Sequence, residues 1–235
     1  MGNMNKEIHD IQASVLRRLL LSETMRFSDL QPDGISSDQF TFHLKKLAEV
    51  GIIQKNEDGT YRLTASGKEY ANRFDIDSGS AKTEKQAKLS VLVMAVNEEN
   101  GVKKYVMQQR LKQPYFGFRG FVTGKIKMGE SVLETAAREL KEETGLSGEL
   151  EQKAIYHERI YSSAGELLED KYFFVCVATD VKGDLVQDFE GGRNEWVFEK
   201  DIMSGSNFYD IGDLLALVKH DGPLFSEKSY TVEKY

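Results

Sequence analysis

The chain has 235 residues, 40% hydrophobic and 29% charged, with a net charge of −7, a soluble globular composition sufficient for one large or two small domains. The acidic balance argues against a general nucleic-acid-coating role, and the single cysteine, Cys176, excludes an internal disulfide or a cysteine-built zinc site. With no run of 18 or more apolar residues and a polar N-terminus, neither a membrane span nor a secretory signal is expected, and a cytoplasmic protein is the default reading.

Ile8, Ile11, Val15, Leu16, Leu19 and Leu20 recur at helical spacing, which predicts a core-facing helix over residues 5–21. A short helix is expected near 28–30, followed by a turn at Pro32-Asp33-Gly34. Ser36, Ser37 and Asp38 offer N-caps for a helix running to about Val50, with Phe40, Leu44 and Leu47 as its apolar face. Residues 52–55 and 61–63 flank an Asp58-Gly59 turn and read as a hairpin, before a last helix reaching about Phe74. The phrase FHLKKLAEVGII, then DGTYRLTASGKEY, resembles winged-helix transcriptional regulators. That resemblance implies a winged helix-turn-helix domain over 1–75 and duplex DNA as a partner. Helix 36–50 would then enter the major groove with Gln39, Thr41, His43, Lys45 and Lys46, and the wing would offer Lys55 and Arg62. The alternative is a module for homodimer formation or for covering a substrate. Residues 1–80 carry ten Lys/Arg against twelve Asp/Glu, without the basic surplus usual in a dedicated DNA binder.

Residues 76–88 are polar, contain Gly and Ser, lack apolar periodicity and read as a linker. Strand patterns follow at 90–96 and 104–110 around the turn Glu98-Glu99-Asn100-Gly101, with Arg110 closing the second strand. Gly124 to Leu146, GKIKMGESVLETAARELKEETGL, contains a helix. Ser131 and Glu134 form a capping box, the run after them is rich in helix formers, and Gly145 can end the helix in a left-handed conformation. At about 100° per residue, Leu133, Ala136, Ala137 and Leu140 form a stripe fit for burial, and Glu139, Glu142 and Glu143 a second stripe roughly a third of a turn away. Three carboxylates within one turn repel each other. A hard divalent cation such as Mg²⁺ removes that repulsion and bridges to phosphate oxygens; a solvated acidic face is the plain alternative. Arg138 has Glu142 in reach at i+4 and Glu130 in the loop, which suits it to orient a carboxylate and makes Glu130 structural. Further strands are expected at about 153–160 and 171–179 around a turn at 162–169, with Cys176 an inert thiol in a buried strand. A closing helix is expected over 211–219 and a polar tail with aromatics over 221–235, held loosely or packed on a partner.

The spacing Gly, x5, Glu, x7, Arg-Glu-Leu, x, Glu-Glu, x, Gly-Leu matches every fixed position of the box of the Nudix hydrolase family, which the chain resembles over 89–220. The resemblance implies an α+β fold: a Nudix α/β/α sandwich with a mixed sheet, preceded by the small winged-helix domain. It implies a metal-dependent hydrolase that cleaves the pyrophosphate bond of nucleoside diphosphates linked to another moiety. Mg²⁺ or Mn²⁺ would be held by Glu139, Glu142, Glu143 and the carbonyl of Gly124, and Arg110 would touch substrate phosphate. Glu190-Gly191 to Glu195-Trp196 is similar to a segment of mutator-type members, where the first glutamate is a further metal ligand or the base. Glu190 is therefore a candidate, Glu195 the second, and either Glu139 or Glu190 the base; Trp196 reads as core or pocket wall. Val122-Thr123 departs from the Pro-Gly common before the box. No proline lies between Pro114 and Pro223, so the ADP-ribose signature is missing, and the coenzyme A and NADH signatures are not seen either. Tyr161 stands near the tyrosine of dinucleoside-polyphosphate hydrolases, but nucleoside triphosphates or nucleotide sugars remain the expected substrates. The second function class is a nucleotide-sensing winged-helix transcriptional regulator that uses the Nudix domain as its ligand sensor.

Overall fold

The computed structural model describes residues 8–72, 85–220, 224–233 and 235, in two units divided between residues 85 and 86. The first residues of the first expected helix, the end of the fourth, most of the linker and the start of the tail lie outside the described residues. Among the described residues, no helix is long and apolar enough to cross a membrane.

In the first unit, α1 (Asp10–Leu20) begins at a capping box in which His9 Nδ1 accepts from the Ile11 N–H at 3.2 Å. α2 (Phe27–Leu30) and α3 (Ser37–Glu49) follow, then the antiparallel strands β1 (Ile53–Lys55) and β2 (Tyr61–Leu63), then α4 (Ala65–Ala71). This is the element order expected from the sequence. Val15, Leu16 and Leu19 of α1 pack with Phe40, Leu44 and Leu47 of α3. His43, expected on the outer face of α3, is 8% exposed, its ring 4.2 Å from that of His9. The reason is spacing: position 43 lies three residues past Phe40 and four before Leu47, on the same inward stripe. Gln39, Thr41, Lys45 and Lys46 are exposed, as are Lys55 and Arg62 on the hairpin.

The second unit is built on one sheet. Its elements are β3 (Lys88–Glu99), β4 (Val102–Arg110), β5 (Arg119–Gly120), β6 (Val122–Lys125), α5 (Val132–Thr144), β7 (Ser147–Ser162), β8 (Leu167–Lys182), β9 (Asp188–Phe189), β10 (Gly192–Phe198), α6 (Ile211–Leu217) and β11 (Leu224–Val232). The strand order is β11-β7-β8-β3-β4-β10-β9, with β6 beside β3 and β5 beside β4. The β3–β8 and β11–β7 pairs are parallel, so the sheet is mixed. Alternation along β3 buries both faces. Val91, Val93 and Ala95 pack with Ala136 and Leu140 of α5, and Leu92 and Met94 pack with Ile211 and Leu214 of α6. The result is an α/β/α sandwich. Along its length β3 changes partner, pairing with β6 at Ser90–Val93 and with β4 at Val96–Glu99. Cys176 is buried and free in β8, and burial pushes its thiol up to about 11.

Two expectations are corrected. β7 and β8 run well beyond 153–160 and 171–179, because backbone pairing continues where apolar alternation stops, through Ser147–Lys182 and Glu149–Thr179 at one end and Ile160–Glu169 and Tyr161–Leu167 at the other. The tail over 221–235 contains β11, an edge strand in register with β7 from Leu224–Ala154 to Val232–Ser162. Side chains far apart in sequence hold it: the Tyr156 and Tyr230 hydroxyls meet at 2.7 Å, and Arg159 donates to Glu227 at 2.6 Å.

His157 is the polar centre of that edge. Its ring bonds Glu227 at 2.7 Å and Asp170 at 2.8 Å, and stacks on Tyr172 with centroids 4.0 Å apart. Burial opposes its charge, but the two carboxylate bonds outweigh burial and raise its pKa. A raised folded pKa contributes stability that is complete below the unfolded histidine value and is lost as pH rises through the folded one. His157→Gln is therefore expected to lower the melting temperature of this unit by about 3 °C at pH 6 and by much less at pH 9, measured by circular dichroism.

Candidate active site

The Ser131 hydroxyl accepts from the Glu134 N–H at 3.3 Å while Glu134 accepts from the Ser131 N–H at 2.8 Å, so α5 begins where the capping box predicts. It ends at Gly145, left-handed with φ 74°, where a Cβ would fall 2.8 Å from Val186. Its buried stripe differs from the expected one. Ala136 and Leu140 are buried, but Leu133 is 43% exposed and Ala137 is exposed. Thr135 and Thr144 take their places, because their hydroxyls are satisfied inside the turn: Thr135 donates to Glu130 at 2.9 Å and Thr144 to the Leu140 carbonyl at 2.5 Å.

The carboxylates do not share one solvent edge. The Glu139 side chain is 13% exposed and that of Glu142 57%. Glu143 is half-buried and accepts from Gln108 Nε2 at 3.0 Å. Burial raises its pKa, the Gln108 bond opposes this, and the charge of Glu139 adds to the rise. Glu139 lies flat against β6: a Cβ on Gly124 would fall 2.0 Å from its Cγ and Cδ. Any side chain at 124 would occupy the space that Glu139 fills.

Arg138 joins loop to helix. Its guanidinium donates to Glu130 at 2.7 and 2.8 Å, to Glu139 at 2.7 Å, to Glu142 at 3.2 Å and to the Lys125 carbonyl at 3.3 Å. These bonds hold the Glu130 carboxyl down at about 2. Glu130 also accepts from the Lys127 N–H at 3.3 Å, so it ties the loop to the helix, the structural part expected of it.

Glu139, Glu142 and Glu143 border a cavity of about 680 Å³. Around them stand Gly124, Arg110, Lys112, Lys125 and Lys127. The lining of the same cavity also includes Lys88, Glu158, Lys171, Phe173, Phe208 and Asp210. Arg110 is there, but its Nε donates to the carbonyls of Lys112 at 3.1 Å and Pro114 at 2.6 Å, so it shapes the loop after β4. Glu190 is exposed in the turn between β9 and β10, whose neighbours Phe189 and Gly191, and not Glu190 itself, line the cavity. Glu195 is turned to Arg119, 3.0 Å away, because alternation on β10 puts it on the opposite side from Asn194. Trp196 packs partly buried in the core under α5, with the Lys104 ammonium 5.6 Å above its ring. Tyr161, at the far end of β7, does not line the cavity.

Gln108 and Asn194 escape a reading by motif. Gln108 shares the inward face of β4 with buried Val106, and a polar residue on an apolar strand face was its signal. Asn194 is 2% exposed and its Nδ2 donates to the carbonyls of Glu143 and Val186, both at 2.8 Å, pinning the end of α5 to β10.

Among the described residues, no three His, Cys, Asp or Glu side chains converge closely enough to ligate a metal as they stand, since Arg138 holds two of the three carboxylates. The donor chemistry nevertheless fits a hard divalent cation. Glu139 and Glu143 present oxygen to one cavity, which suits such an ion.

Comparison with known proteins agrees with this geometry. The NUDIX domain model matches residues 87–216. A curated protein of Myxococcus xanthus named octanoyltransferase is 31% identical over 129 residues, covering 54% of this chain and 36% of that protein. The chain thus spans about a third of that relative's length. The MutT protein of Bacillus halodurans superposes with a TM-score of 0.50 and 24% identity over 61% of this chain and 90% of that one. The NUDIX domain of Shewanella oneidensis NrtR, solved with ADP-ribose, superposes with a TM-score of 0.51 and 19% identity over 67% of this chain and 97% of that one. At those identities the two structures show a shared fold. With the family model spanning more than half of the chain, the protein belongs to the NUDIX family.

Proposed function

We propose that the second unit hydrolyses the pyrophosphate bond of a nucleoside diphosphate carrying a further group, with a nucleoside triphosphate or a nucleotide sugar as the substrate. The observation that carries this reading is the seating of Glu139 on side-chain-free Gly124, in a cavity that Glu143 also lines together with Lys112, Lys125 and Lys127. Glu139, Glu142 and Glu143, with the Gly124 carbonyl, would hold Mg²⁺ or Mn²⁺. When bound, the ion supplies an acidified water and positive charge against the developing negative charge on phosphate.

The chain's own residues do the rest. Lys112, Lys125 and Lys127 attract the phosphates to the mouth of the cavity. Arg138 orients Glu139, 2.7 Å from its guanidinium. Gln108 fixes the Glu143 carboxylate. Glu139 is the base candidate this geometry favours, because Glu190 stands off the cavity wall. That the NrtR domain was solved with ADP-ribose supports a nucleotide ligand for this fold.

Release of phosphate or pyrophosphate from a panel of nucleoside triphosphates and nucleotide sugars tests the reading. Wild type should turn over at least one compound with Mg²⁺ and lose that activity to a chelator, and Glu143→Gln should slow it by about 100-fold or more. Equal rates for wild type and Glu143→Gln would remove the role. Gly124→Ala should also cost about 100-fold, by displacing Glu139, while the circular dichroism spectrum stays unchanged.

A second reading gives the first unit a DNA-binding role, with the NUDIX unit as sensor or enzyme. Its support is that Gln39, Thr41, Lys45 and Lys46 all stand exposed on α3, with Lys46 above the ring of exposed Phe42 at 5.0 Å. In a gel-shift assay at 50 mM salt with duplex DNA from the gene's own upstream region, wild type should bind. Lys45→Ala/Lys46→Ala should weaken binding about tenfold, and an unshifted wild type would end this reading.

A further inference from the structure

The segment after α6 does more than extend the sheet edge. Its attachments run in chain order toward the cavity. Glu227 of β11 accepts from Arg159 at 2.6 Å and bonds the His157 ring at 2.7 Å. The Tyr230 hydroxyl donates to Asp213 of α6 at 2.5 Å and meets that of Tyr156. Val232, 3% exposed, packs with Ile160 and Tyr115. Last, the Tyr235 hydroxyl donates to Glu169 at 2.6 Å, and its ring meets that of Tyr115 edge-on, with centroids 5.0 Å apart. Tyr115, Ile160 and Glu169 line the cavity that the α5 carboxylates border, whereas β11 and Tyr235 stand behind them.

Tyr115 needs that backing. Its backbone is left-handed, with φ 65°, a conformation costly for a bulky residue and kept only where the surroundings enforce it. Its hydroxyl is buried and has no hydrogen-bond partner among the described residues, so no polar contact fixes the ring. Ring packing fixes it instead: Phe208, Phe118 and Tyr235 meet it edge-on at 5.2, 5.9 and 5.0 Å. Tyr235 is 45% exposed, so burial alone does not hold it there. Its hydroxyl docks on Glu169, a carboxylate that Lys171 and Lys88 already fix from 2.9 and 3.1 Å.

We infer that β11 and Tyr235 form a strap that sets this wall of the active-site cavity, with Tyr235 a positioning residue that acts through Tyr115 and Glu169. Docked, the strap leaves the loop after β4 one arrangement. Undocked, Tyr115 keeps its strained backbone with one ring fewer against it, and the loop over residues 111–118, which also carries Lys112 to the cavity, relaxes. A contact held by one half-exposed side chain is the part of this wall that opens at least cost. The strap's hold on the wall is independent of the chemistry; its effect on turnover rests on the hydrolase reading above. Because Glu139, Glu142 and Glu143 lie outside the strap's contacts, its loss weakens substrate binding and spares the chemical step.

Hydrogen–deuterium exchange and steady-state kinetics on Tyr235→Ala and Tyr235→Phe test the inference, with the compound turned over in the panel above as substrate. In Tyr235→Ala the amides of Gly117 and Phe118, which bond the carbonyls of Arg110 and Tyr115 at 2.7 and 3.1 Å, should exchange about tenfold faster, while those of α5 keep the wild-type rate. KM should rise about fivefold, with kcat within about twofold of wild type. Tyr235→Phe, which keeps the ring and loses the bond to Glu169, should fall between the two. Unchanged exchange at residues 117–118 in Tyr235→Ala would overturn the inference, as would faster exchange spread evenly over the second unit or a KM equal to that of wild type. Faster exchange confined to the loop, in a protein that hydrolyses none of the compounds, would retain the strap and overturn the hydrolase reading alone.

Discussion

Two carboxylates of α5, Glu139 and Glu142, repel each other, and Arg138 holds both. A single planar guanidinium reaches Glu130, Glu139 and Glu142, which no lysine could do with a point charge. It also ties the loop before α5 to the helix, so the glycine-bearing strand β6 and the acidic helix are held in a common frame. Within that frame the approach of Glu139 to Gly124 is possible only because position 124 lacks a side chain. The arginine and the glycine act on the same carboxylate from two sides.

The sheet supplies the rest of the site. Both faces of β3 are buried, one under α5 and one under α6. The change of partner along β3 sets β6 against α5 while β4 carries Gln108 and Arg110 toward the same cavity. Gln108 and Asn194, on neighbouring strands, then position Glu143 through its carboxylate and its carbonyl. Neither is near it in sequence, and both act on the last turn of the helix, where the backbone carbonyls lack helical partners.

Local spacing carried much of this from the sequence alone. The capping box at Ser131, the left-handed stop at Gly145, the reach of Arg138 to Glu142 and Glu130, and the family box are all relations within 23 residues, and each stands in the structure. So do the hairpin around Asp58-Gly59 and the cap at Ser36. Where the reading failed, packing had overruled a face assignment. His43 follows the inward stripe of α3, and threonines with internally satisfied hydroxyls displace Leu133 and Ala137 from the buried face of α5.

Only the tertiary structure could show that Glu190 stands off the cavity and that Glu195 turns to Arg119, 76 positions away in sequence. It alone made residues 224–232 an edge strand, through partners some 70 positions distant, and brought Glu158 and Asp210 to the cavity that the α5 carboxylates border. A sequence determines what neighbours three or four residues apart can do, because helix geometry and capping act at that range. Which distant side chains meet is decided by how sheet and helices close over a shared core, and spacing along the chain does not encode that closure.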